Sequence, residues 1–168
     1  AFGDTATAST GVAGTTGRHS MRLVNARFSN EVNFFWDERA TSLEDQTTKP
    51  IQDHIEMGFS NTNGDPDLDS LLRRIASIGY YNQLFTFVFG DTIVTEARVQ
   101  DALAQFIRSI QSFDSKFDVG RATAANDGAP FNNFTVQENA GKNLFLAPPQ
   151  FNPNGVRTGG GVGCNGCH

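Results

Sequence analysis

At 168 residues and 38% hydrophobic content, the chain can bury the core of one domain or of parts of two, and it is no peptide-scale fragment. Thirteen Lys and Arg against 18 Asp and Glu leave a formal charge of -5, dispersed along the sequence, which argues against nucleic acid as a partner. Two cysteines standing three apart make no disulfide framework, and no apolar run has the length of a membrane span.

From Ala1 to Gly17 the residues are mainly Gly, Thr, Ala and Ser, which predicts irregular backbone. Met21 to Trp36 is mixed, with Phe28, Phe34, Phe35 and Trp36 as large apolar anchors. Ser42 is placed to cap a short helix running through Gln46, and Pro50 ends it. Pro66 and the Asp residues beside it suit a helix start, after which Leu68, Leu71, Leu72, Ile75 and Ile78 recur at helical spacing until Gly79. Tyr81, Leu84, Phe85, Val88 and Phe89 repeat the pattern up to Gly90. Thr95 then caps the strongest predicted helix, with Val99, Ala102, Leu103, Phe106, Ile107 and Ile110 on one apolar face. Thr135 with Glu138 forms a capping-box pattern opening a helix through Leu144 and Phe145. Segments 118–134 and 147–163, rich in Gly, Asn, Pro and Ala, read as linkers, and no alternating pattern predicts a useful strand. The expected fold class is all-α with long irregular loops.

Cys164, Asn165, Gly166, Cys167 and His168 spell C-x-x-C-H, the signature of c-type haem attachment. Each thiol adds across one vinyl group of a haem, and the adjacent imidazole of His168 reaches the iron from one face. A dithiol redox pair should open a helix after a strand with residues following, and a zinc site wants a second pair or well-spaced histidines. His19 and His54 lie singly and far upstream, so the pattern favours haem c held by Cys164, Cys167 and His168, with His168 as iron ligand. Covalent haem attachment takes place on the outer side of an energy-transducing membrane, which predicts a periplasmic setting. Since no charged segment followed by an apolar one opens the sequence, any leader is expected to have been removed.

The run Phe35-Trp36-Asp37-Glu38-Arg39-Ala40, then Ser42-Leu43-Glu44-Asp45-Gln46, Pro50 and Ile55-Glu56-Met57-Gly58, resembles the bacterial di-haem cytochrome c peroxidase family, which includes the MauG enzymes. Gly17 to Ser20, Tyr80 to Gly90, the helix from Thr95 to Ser112, Phe117-Asp118, Gly141, Leu144-Phe145 and the haem motif follow in the family's order. The resemblance implies two cytochrome c-like haem domains, one peroxidatic and one relaying electrons. On this alignment the first C-x-x-C-H precedes Ala1 and the second is the motif at Cys164. The chain is then expected to be the piece between them: 1–118 most of the peroxidatic domain with the inter-domain helix, and 119–168 the start of the electron-transfer domain.

By the same resemblance Trp36 lies between the haems and carries electrons, Glu56 is the acid–base residue, and Gln46 is its neighbour over the iron. The chemistry fits those residue types, because splitting hydrogen peroxide requires a proton moved from one oxygen to the other, which a single carboxylate can do. An amide can orient the peroxide without titrating. Met57 reads as packing, and His19 and His54 as structural. Bis-histidine members place a distal His in the loop aligned near Val12, where this chain has none.

Two departures stand out. His19 occupies the place of an Asn that in many relatives helps bind calcium between the domains, which leaves calcium an open cofactor. Glu38 stands where Gly is common. Relatives also supply the sixth ligand of the second haem, a Met or in MauG a Tyr, from residues after this motif.

The expected function is reduction of hydrogen peroxide to water with electrons from a small donor protein, a cytochrome c or cupredoxin. The alternatives are a MauG-like oxidase acting on a protein substrate, or a plain electron-transfer cytochrome. The missing parts of the same protein are expected partners, and relatives are often homodimers.

Overall fold

A computed structural model of the chain describes residues 6–30 and 32–166. Backbone contacts divide it into two compact units, Ala1–Gln111 and Ser112–His168. The fold is mostly helical, as the patterning predicts: six helices and one small two-stranded sheet among the described residues.

The first unit holds α1 (Leu43–Thr48), α2 (Leu68–Ala76), α3 (Gly79–Phe89) and α4 (Glu96–Ser109). Ser42 caps α1 as predicted: its hydroxyl accepts from the Asp45 N–H at 3.0 Å, while the Asp45 carboxylate accepts from the Thr41 N–H at 3.1 Å. Six residues are too few for a helix to hold itself, so α1 depends on packing against α4. Leu43, Ala104 and Ile107 bury that contact, with Leu23, Ala26 and Phe34 packed on them.

Polar ties frame both ends. Arg108 pairs with Glu44 at 2.6 Å, and Thr48, 2% exposed, donates to Glu96 Oε1 at 3.0 Å. Gln52 donates to the same oxygen at 3.0 Å, and Gln100 donates to Thr48 Oγ1 at 2.8 Å. Because the start of α1 meets the end of α4 and the reverse, the two run antiparallel. Asp67 caps α2, Thr95 caps α4, and Gly90 ends α3 with φ 86°. The buried stripe of α4 differs from the expected one: Val99, Ala104 and Ile107 face inward, whereas Phe106 is 62% exposed.

The second unit holds α5 (Lys116–Thr123), α6 (Val136–Leu146) and the antiparallel strands β1 (Pro149–Phe151) and β2 (Arg157–Gly160). Its centre is Phe131, 1% exposed, which meets Phe117 and Phe134 edge-on at centroid distances of 5.1 and 5.2 Å. The Asn139 amide brackets the Phe131 backbone, accepting from its N–H at 2.8 Å and donating to its carbonyl at 3.1 Å. Gly120 lies so close that a Cβ would fall 2.6 Å from Phe131 Cδ2. Lys142 is buried against this cluster, donating to the carbonyls of Asp127 and, at 2.8 Å, Ala129.

Both predicted linkers contain regular structure. The first begins inside α5, where Ser115 and Asp118 form a capping box of the kind predicted only for Thr135 and Glu138. The second is a hairpin. Asn152 Oδ1 accepts from the N–H groups of Asn154 and Val156 at 3.0 and 2.9 Å, and Gly155 takes φ 75° to close the turn. The strands escape an alternation test because they are only three and four residues long.

Candidate functional site

A cavity of about 460 Å³ opens in the first unit, and Trp36, Gln46 and Glu56 all line it. Each arrives from a different local device. Gln46 projects from α1, which is held in place by its buried Leu43, Thr47 and Thr48.

Trp36 rides a tight turn closed by the antiparallel pair Phe34 and Ala40, with their N–H···O bonds at 2.8 and 3.3 Å. Phe35 and Glu38 take left-handed φ values of 72° and 56° to make the reversal. The conformation at 38 is one that glycine adopts more readily than a residue with a side chain. Trp36 is 64% exposed, and its indole N–H donates to the His19 carbonyl at 3.0 Å, fixing the ring on the cavity's edge.

Glu56 follows a cap. The Asp53 carboxylate accepts from the N–H groups of Ile55 and Glu56 at 2.8 and 3.0 Å, and Gly58, at φ 73°, turns the chain away. Burial, and then the negative charge of Asp53, hold the Glu56 carboxyl above the usual carboxylate range, with Arg39 opposing them. A carboxyl that keeps its proton more tightly is closer to what proton transfer near neutrality requires. Neither the Gln46 amide nor the Glu56 carboxylate has a side-chain hydrogen-bond partner among the described residues, so both are available to a molecule in the cavity.

The rest of the wall is mixed. Met21, Leu23, Pro50 and Ile55 are apolar, and the buried Ser20 Oγ finds no hydrogen-bond partner among the described residues. Arg18 and Arg39 both pair with Asp37 at 2.8 Å, and Arg39 stacks 3.5 Å over Phe35. The apolar walls suit the face of a flat macrocycle, and the orphaned Ser20 hydroxyl is a polar contact such a group could take up, while both guanidiniums are already paired with Asp37.

His19 and His54 are engaged elsewhere: Nδ1–H of His19 donates to the Ala6 carbonyl at 2.6 Å, and Nδ1 of His54 lies 2.8 Å from the Asp65 carboxylate. Among the described residues no cluster of three or more His, Cys, Asp or Glu could hold a metal ion.

In the second unit Cys164 is partly buried and opens a 3-10 turn, Cys164–Gly166; Cys167 and His168 lie outside the described residues. The approach to the turn is moored to the end of α6. Val162 N–H donates to the Leu144 carbonyl at 2.7 Å and Gly163 N–H to that of Ala147 at 3.0 Å, satisfying carbonyls the helix leaves unpaired. A Cβ on Gly161 would overlap both carbonyls, so this glycine serves a close approach rather than a slack tail. No helix among the described residues is long and apolar enough to cross a membrane.

Comparison with known proteins matches residues 1–126 to the family described as di-haem cytochrome c peroxidase. Methylamine utilization protein MauG of Methylophilus methylotrophus is 42% identical over 83 residues, 49% of this chain and 23% of that protein. Cytochrome c551 peroxidase of Nitrosomonas europaea is 34% identical over 84 residues, 50% of this chain and 23% of that protein. MauG of Methylorubrum extorquens is 37% identical over 86 residues, 51% of this chain and 22% of that protein. The aligned part is therefore under a quarter of the length of each of these relatives.

Proposed function

The chain belongs to the di-haem cytochrome c peroxidase family, and on that premise we propose that it is part of a periplasmic enzyme that reduces hydrogen peroxide to water. In this reading 1–118 supplies most of the peroxidatic domain and 119–168 opens the electron-transfer domain, with Cys164, Cys167 and His168 holding its haem. The observation that carries the proposal is the meeting of Trp36, Gln46 and Glu56 on one cavity.

Two haems c, when bound, supply the iron centre for peroxide reduction and the relay that delivers its two electrons. The residues of this chain handle position and protons. The Gln46 amide donates to one peroxide oxygen and holds the molecule in a fixed orientation. Glu56 takes the proton from the oxygen that stays and returns it to the one that leaves. With two electrons and two protons consumed, one hydrogen peroxide becomes two waters. Trp36, whose indole is hydrogen-bonded to the His19 carbonyl at the cavity's edge, would carry electrons between the two haems, the second of which a small donor protein would reduce.

The test is peroxide turnover by the full-length protein carrying Glu56→Gln, with haem content confirmed. Loss of about 10²–10⁴-fold in kcat is expected for a positioned proton-transfer group, and undiminished turnover would remove Glu56 from the mechanism.

A second reading has support in the 42% identity to a MauG: a haem oxidase acting on a protein substrate. Both readings use the same cavity. Measuring whether the full-length protein turns over peroxide with a reduced donor, or instead consumes peroxide while oxidising a protein, separates them.

A further inference from the structure

We propose that the turn formed by residues 9–16 is a positioning element for Glu56, and that Gly11 is the residue on which it depends; the inference rests on the proton-transfer role given to Glu56 above. The turn is a small closed unit. Thr10 and Thr15 pair antiparallel, Gly11 N–H donates to the Gly14 carbonyl at 2.8 Å, and Thr16 N–H donates to the Ser9 carbonyl at 2.9 Å. Its outer edge is bonded to the segment carrying Glu56: Val12 N–H donates to the Glu56 carbonyl at 3.1 Å, and Ala13 N–H to that of Ile55 at 3.3 Å.

These bonds complete a set. Asp53 already takes the N–H groups of Ile55 and Glu56, so all four backbone polar groups of the two residues are held, two from within their own loop and two from the turn. The Glu56 side chain has no hydrogen bond of its own among the described residues, so its backbone is what sets the carboxylate's place. Gly11 allows the turn to come that close. A Cβ there would overlap the Ile55 carbonyl oxygen and lie 2.8 Å from both the Ile55 carbonyl carbon and Glu56 Cα. Those neighbours are backbone atoms that cannot rotate aside, so even one methyl group must part the turn from the Glu56 segment. Gly11 touches neither substrate nor haem in this account; it acts through Glu56.

The experiment is Gly11→Ala in the full-length haem-loaded protein, alone and combined with Glu56→Gln, with Gly79→Ala, whose added Cβ meets nothing within 4 Å, as control. A displacement on the order of 1 Å predicts roughly a 10²-fold loss of kcat/KM in Gly11→Ala. The acid limb of the pH profile should also move toward the usual carboxylate range, because the freed carboxylate loses its burial. In the Glu56→Gln background Gly11→Ala should cost almost nothing further. If Glu56→Gln is inactive but Gly11→Ala keeps wild-type turnover and pH profile, the positioning proposal is overturned while the role of Glu56 stands. Equal losses from Gly11→Ala in both backgrounds would also overturn it, and an active Glu56→Gln would sink the reading beneath it.

A measurement on the unaltered protein covers the case in which Gly11→Ala fails to fold. The amides of Val12 and Ala13 should exchange with solvent at least about tenfold more slowly than in an unstructured chain. Exchange at the unprotected rate would refute the clamp.

Discussion

Replacing Glu38 with glycine should make the protein more stable, an outcome opposite to the usual effect of introducing glycine. Glu38 sits at φ 56° in the turn that carries Trp36, and its N–H donates to the Phe35 carbonyl at 3.1 Å. A side chain in the left-handed region costs about 1–2 kcal/mol, which glycine does not incur. The greater freedom of glycine in the unfolded chain takes back about 0.4–1 kcal/mol. Glu38 is exposed and makes no side-chain hydrogen bond or ion pair among the described residues that would be lost, so the net gain is about 0.5–1 kcal/mol. For a domain of this size 1 kcal/mol moves Tm by about 2–4 °C, so Glu38→Gly should melt about 1–4 °C higher in a calorimetric scan at equal haem content. An unchanged or lower Tm would mean that the turn carries no such strain.

Asp53→Asn keeps the oxygen that accepts from the Ile55 and Glu56 N–H groups but removes the charge that helps hold the Glu56 proton. Burial, the larger cause, remains, so the Glu56 pKa should fall only part of the way, and the acid limb of peroxide turnover should shift to lower pH; a shift to higher pH would contradict the assignment. Phe131→Ala empties the centre of the second unit and should cost about 3–5 kcal/mol, read as a lower urea midpoint with unchanged slope. A cost below about 1 kcal/mol would show that the Phe117–Phe131–Phe134 cluster is not that unit's core.

What could be read from the chain divides by the range of the interaction. Capping residues act over three positions, so Ser42, Thr95 and the Thr135–Glu138 box announced their helices correctly. The same pattern at Ser115 and Asp118 was equally legible, but it lay in a segment whose composition suggested a linker. The hairpin also had its signal, Asn152-Pro153-Asn154-Gly155 between two short runs, and it was masked by strands too brief to alternate. The apolar face of α4 was misjudged at Phe106 because periodicity gives a stripe without saying which edge α1 will cover. Motif order singles out Trp36, Gln46 and Glu56, and all three line one cavity. The backbone hold of the 9–16 turn on residue 56 leaves no mark in either segment, since it joins carbonyls and amides that every residue possesses.

The lashing of α1 to α4 reaches further than stability. Gln46 stands on a helix of six residues whose placement is borrowed from a neighbour fifty positions away, through Glu96, Gln100 and Arg108. Those three residues are thus part of the cavity's inheritance although none of them lines it. Across related sequences, the partners at 44, 48 and 52 should change in step with 96, 100 and 108. A mutational library confined to the cavity wall would miss the positions that tune the angle of Gln46 most gently.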